Sequence, residues 1–223
     1  LLSFGYFTVL GGDYANAKAQ FRESLDYYRR AEDAGGVADA LSALGAVCNI
    51  TGELAEARQC LEESAAIGRE MQDEHGLRTS LVNLGNVFYL QENYDRAKEY
   101  YEEVLILCQR AGDRSAEAIT LCNLGSIAYQ AKAYAEAEKW MTVGATIFRE
   151  INSLQFYIQA QTTLASIHTA MGEYEQARAE IQWALNKALT EQIQHMIPPA
   201  LYEAGILYLA LGRTEEAVQL LYL

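Results

Sequence analysis

An alanine recurs six times at a spacing of 40 residues, at Ala17, Ala57, Ala97, Ala137, Ala177 and Ala217. Three positions earlier stand Tyr14, Leu54, Tyr94, Tyr134 and Tyr174, and in the last unit Thr214. A second series keeps the same register: Leu44-Gly45, Leu84-Gly85 and Leu124-Gly125, continued by Leu164-Ala165 and by Gly5 and Gly205 alone. A fixed period of this length marks an array, in which each unit buries its apolar face on its neighbours and needs no single central core. Arrays present extended concave surfaces to other molecules, so the period favours binding over catalysis.

In the third unit Leu81, Leu84, Gly85 and Phe88 follow the i, i+3, i+4, i+7 spacing of an amphipathic helix over about residues 77–91, here helix A. Glu92, Asn93 and Tyr94 interrupt the pattern, and Ala97, Tyr101, Val104, Leu105 and Cys108 trace a second helix, B, ending near Gly112. Asp113 or Ser115 can cap the next helix, with Asp33 and Asp73 at the matching places in earlier units. Two helices cross closely only where no side chain intervenes, so Gly85 is expected to face Ala97. Gly12, Gly52, Gly172 and Gly212 suit the left-handed residue that closes helix A. Glu92 and Lys132 replace it in the middle units, so that turn need not be uniform. Pro198 and Pro199 stand where the sixth helix A begins, a position that tolerates a missing amide hydrogen.

The skeleton Leu84, Gly85, Phe88, Ala97, Tyr101 resembles the tetratricopeptide repeat, and the resemblance covers nearly the whole chain. The usual unit has 34 residues, and the family proline that ends helix B is missing from every unit. Long-period arrays of this kind are similar to kinesin light chains, Pins-type adaptors and the sensor arms of bacterial regulators. The resemblance implies an all-α, right-handed superhelical solenoid of antiparallel helix pairs over residues 1–223. Its repeats fall at about 1–35 (partial), 36–75, 76–115, 116–155, 156–195 and 196–223 (partial). The apolar stretch Leu1 to Leu10 is read as a truncated first repeat, since it has no basic leader. Leu220 to Leu223 end inside a helix B, so end-to-end self-association through the apolar termini is expected.

Family geometry turns one face of helix A toward a groove. Carried over by register, that face holds Thr79, Val82, Asn83, Asn86, Tyr89 and Leu90 in the third repeat. The fourth supplies Ile119, Cys122, Asn123, Ser126, Tyr129 and Gln130, and the fifth Gln159, Thr162, Thr163, Ser166, Thr169 and Ala170. None of these positions is charged, although 21% of the chain is. The resemblance makes Asn83, Asn86, Tyr89, Asn123, Ser126, Tyr129, Gln130, Gln159, Thr162, Thr163 and Ser166 the expected contacts with a protein or peptide. Asn offers a donor and an acceptor to a ligand main chain. The same amides could instead bond a neighbouring helix, and Tyr89 and Tyr129 could be either anchors or packing. Asn86 and Asn123 match two positions of a carboxylate clamp, but Val82, Gln159 and Thr163 stand where its cations belong, which argues against an acidic tail as ligand.

A net charge of −13 argues against nucleic acid as partner. No apolar run approaches the roughly 18 residues of a membrane span, and no membrane partner is expected. Cys48, Cys60, Cys108 and Cys122 form no C-x-x-C pair, which fits reduced thiols in a cytoplasmic protein. His75, His168 and His195 share no helical face at ligand spacing, and no phosphate loop is present, so neither catalytic residues, metal nor cofactor is expected. The chain reads as a protein-interaction scaffold. The alternative is the sensor arm of a multidomain regulator that answers to a small effector or to neighbouring domains.

Overall fold

The computed structural model describes residues 2–221, with side chains through Gln219. The apolar tail invoked for end-to-end association therefore lies largely outside the described residues. Contacts divide the chain into two compact units, residues 1–107 and 108–223. Among the described residues both are built from helices without strands.

Unit 1 contains α1 (Leu2–Leu10), α2 (Tyr14–Arg30), α3 (Ala34–Ile50), α4 (Leu54–Met71), α5 (Glu74–Leu90) and most of α6 (Tyr94–Ala111). Each of α1 to α4 packs on the next helix, and the helices A of successive repeats, α3 and α5, also touch. Its core holds Phe21, Leu41, Leu61, Leu81 and Leu84. Unit 2 contains α7 (Arg114–Gln130), α8 (Tyr134–Glu150), α9 (Leu154–Met171), α10 (Tyr174–Thr190), a 3-10 turn (Gln194–Met196), α11 (Ile197–Ala210) and α12 (Thr214–Leu221). It repeats the same pairing, with α9 against α11, around Leu124, Met141, Phe148, Ile158 and Ile167. Pro198 and Pro199 occupy the first turn of α11, as expected.

Backbone geometry halves the sequence period. Every twentieth residue from Gly12 to Gly212 has a positive φ, between 54° at Glu32 and 82° at Gly172. Glu92 (φ 57°) and Lys132 (φ 60°) adopt the same conformation as the glycines of the other units, so the helix A turn is uniform after all. The reason lies in the backbone hydrogen bonds that close it. At Gly52 the Glu53 amide donates to the Cys48 carbonyl at 2.8 Å, and at Lys132 the Ala133 amide donates to the Ala128 carbonyl at 2.8 Å. This closure outweighs the roughly 1–2 kcal/mol that a side chain loses in the left-handed region. The residue after each turn then starts the next helix. Asp13, Asp33, Asp73 and Asp113 accept from free amides there, and Ser115 lies within α7.

The close crossing of helix A and helix B holds at Gly125, where an added Cβ would stand 3.2 Å from the Ala137 carbonyl. At Gly85 the nearest group is the ring of Tyr101, 2.7 Å from where a Cβ would lie. A glycine admits either a backbone or a flat ring, and the residue four positions after the alanine decides which.

Candidate partner-binding face

Helix α5 in unit 1 and helices α7, α9 and α11 in unit 2 carry the positions singled out by register. In unit 1, Asn83 is half-buried, and its amide has no hydrogen-bond partner among the described residues. Asn86 is engaged, accepting the Tyr101 hydroxyl at 2.6 Å. Tyr89 leans on Tyr94, ring centroids 5.9 Å apart. Asn86 thus holds helix B to helix A, and Asn83 keeps its amide free.

In unit 2 the face is indented. A cavity of about 180 Å³ opens between α7 and α9, with Cys122, Asn123 and Ser126 on one wall and Gln159, Ala160 and Thr163 on the other. Its apolar lining comes from Met141, Phe148, Phe156 and Ile119. It exists because Cys122 and Ala160 are small, and because Gly144 on α8 lets the Cys122 sulfur settle where a Cβ would lie 2.7 Å away. Phe148 and Phe156 stack at 5.2 Å beneath it. Burial pushes the Cys122 thiol up to about 12, so it lines the cavity as a neutral group. The side-chain amides of Asn123 and Gln159 have no partner among the described residues.

Thr162 is a correction: it is buried, its hydroxyl donating to the Ile158 carbonyl at 3.0 Å, and it takes no part in this face. Thr163, on the next 100° of the helix, takes the cavity wall instead. Ser126 and Ser166 are half-buried, Gln130 is exposed, and Tyr129 leans on Tyr134 with ring centroids 5.7 Å apart.

The register also leads to a residue that repeats three to five alone do not include. Asn83, Asn123 and Thr163 continue, 40 residues on, to Glu203 of α11. Burial holds its carboxyl above the usual range, opposed by the nearby Ser166 hydroxyl. Tyr129 is raised by burial and then by the charge of Glu203, which puts the two in electrostatic reach. The charge-free face therefore ends in a carboxylate, and extending the spacing by one unit would have found it.

Titratable groups elsewhere are tied into the scaffold. His168 is buried, with Nδ1 2.8 Å from Glu180 and Nε2 3.4 Å from Glu138. Burial alone would lower its pKa, but the hydrogen bonds and charges of the two glutamates outweigh it and raise it. Cys48, Glu53 and Glu56 lie close enough to share a cation. Lys18 at 2.7 Å and Arg22 at 2.6 Å already neutralise the two carboxylates, however, and burial raises the thiol to about 12. Glu63 and Glu103 pair with Arg29 and Arg69 of the preceding helix B at 2.9 and 2.8 Å.

A sequence model of the family described as "Tetratricopeptide repeat" matches residues 4–70 and 76–150, and a second of the same description matches residues 162–223. No curated protein matches the chain. Among solved structures, it is similar to a signal transduction ATPase with numerous domains carrying a tetratricopeptide repeat sensor, from Pyrococcus horikoshii. There the TM-score is 0.85 at 17% identity, over 98% of this chain and 34% of that one. A Rap protein complexed with competence and sporulation factor gives 0.78 at 17%, over 99% of this chain and 62% of that one. BtubC from P. vanneervenii gives 0.75 at 18%, over 93% and 87%. At these identities the likeness is one of fold.

Proposed function

Because the chain belongs to the tetratricopeptide repeat family, we propose that it is a protein-interaction module whose unit 2 holds an extended peptide segment across α7, α9 and α11. The observation that carries this reading is the uncharged cavity between α7 and α9, with unpartnered amides at Asn123 and Gln159. An apolar side chain entering over Phe148 and Phe156 leaves water, while the two amides replace the water that its main chain gives up. Ser126, Tyr129, Gln130, Thr163 and Ser166 complete the surface. In unit 1, Asn83 and Tyr89 offer the same chemistry on α5, with Asn86 committed to Tyr101. The reading assigns no catalytic role, places the protein in the cytoplasm on the strength of four free thiols, and treats the repeats as one array. Phe4, Phe7 and Leu10, exposed on α1, support self-association at that end.

Peptides selected from a random dodecamer display library on the intact chain test the proposal. A cavity-dependent binder should lose about 1–3 kcal/mol on Asn123→Ala and bind poorly to Thr163→Trp, which fills the cavity. Unchanged affinity for both variants, with the fold intact by circular dichroism, contradicts it.

A second reading makes the array a sensor arm whose face answers to other domains of its own polypeptide. The favouring observation is its likeness to the sensor-bearing ATPase, of which it spans about a third. A nucleotide-binding or DNA-binding domain encoded beside it would support that reading.

A further inference from the structure

The face of unit 2 is polar but uncharged from Gln159 to Ser166, and then meets a carboxyl with no cationic partner. Glu203 is half-buried on α11, which packs on α9, and lies near Ser166 of that helix. Among the described residues no Lys or Arg is paired with it. Two half-buried carboxylates of this unit differ in this respect: Glu117 has Arg114 at 2.7 Å, and Glu180 has His168 at 2.8 Å. A carboxylate held away from water without a cation is unfavourable, and a ligand cation placed there is correspondingly well bound. The neighbours add to this. Tyr129, its ring against Tyr134, lies in electrostatic reach of Glu203, and the exposed Tyr202 directly precedes Glu203 in the chain. Tyrosine faces attract ammonium and guanidinium groups.

We propose that Glu203, with Tyr129 and Tyr202, is a subsite for a basic side chain of the bound segment, set one helical turn beyond the apolar cavity. The geometry fixes the relation between the two. On α7 the cavity wall ends at Ser126, and Tyr129 follows three residues later. On α9 it ends at Thr163, and Ser166, the α9 residue near Glu203, follows three residues later. Three helical residues advance about 4.5 Å along each helix, and the next helix A lies about 8–10 Å further across. An extended peptide covers that diagonal, about 10 Å, in roughly three residues. The recognised segment thus carries an apolar residue and a Lys or Arg two to four positions apart. The chain's net charge of −13 draws such a segment in.

The inference rests on the proposed peptide reading, and the test separates the two. Random dodecamers selected on the wild-type chain should carry a basic residue at a constant offset from an apolar one. Replacing that basic residue by Gln should weaken binding tenfold or more on wild type and little on Glu203→Gln. Selection on Glu203→Lys should enrich acidic residues at the same offset. Peptides that depend on the cavity, by the Thr163→Trp control, yet show no basic position or bind Glu203→Gln equally well, overturn this subsite alone. A selection that yields no cavity-dependent peptide overturns both readings.

Discussion

His168 stands in the register occupied by Cys48, Phe88 and Ala128 in the preceding helices A, so an imidazole replaces a small or apolar core group. Its two carboxylate partners favour the charged form of the ring, and the linkage has a definite sign. A histidine whose native value is raised above its ordinary 6.5 contributes stability that is fully present below about 6.5 and is lost as pH rises through the native value. Burial also raises Glu180, whose contribution likewise declines with rising pH, starting lower, from about 4.5. Thermal midpoints of the wild type should therefore fall as pH is taken upward from 6.5, and His168→Gln should flatten that fall. Parallel profiles for the two proteins would contradict the assignment. Tyr101 and Asn86 form the other informative pair. Tyr101→Phe should cost about 0.5–1.5 kcal/mol in urea unfolding, and less in an Asn86→Ala background, because one hydrogen bond is removed in both.

Helices and turns follow rules that the 40-residue spacing made legible. Helix A and helix B, the aspartate caps and the first-turn prolines were all readable, since each depends on one residue type at one place. Uniformity of the turn was less so, because its closure is carried by backbone hydrogen bonds that no side chain announces. Lys132→Gly should stabilise the protein by about 1 kcal/mol in chemical denaturation, the left-handed cost being removed. No gain would mean that the strain is relieved elsewhere. At the crossing of α7 and α8, Ala137→Leu should cost about 1–3 kcal/mol by overpacking, since Ala137 is fully buried and its carbonyl lies against Gly125. Gly85 shows the limit of the pattern: the spacing identified a close approach but not that the Tyr101 ring would make it.

For the molecule as a whole, repetition specifies the scaffold, and the proposed binding chemistry is carried on its helix A register. Asn83 and Asn123 stand on that register, and so does Glu203, one period beyond Thr163. The cavity was not, because it arises from the joint smallness of Cys122, Ala160 and Gly144 on three separate helices. Thr162 was misplaced because a hydroxyl can satisfy itself on its own helix and stay buried. The exposed Arg29–Glu63 and Arg69–Glu103 pairs repeat in register as well. Pairs of this kind contribute about 0–1 kcal/mol each, so 1 M salt should shift the unfolding midpoint only slightly. The central claim is that unit 2 receives a peptide on its helix A face. Amide NMR of the isotope-labelled chain, titrated with a peptide recovered by display selection, tests it most directly. The account predicts shifts concentrated on Asn123, Ser126, Tyr129, Gln159, Thr163, Ser166 and Glu203. Shifts confined to the helix B surfaces of α8 and α10, with those residues unmoved, would contradict it.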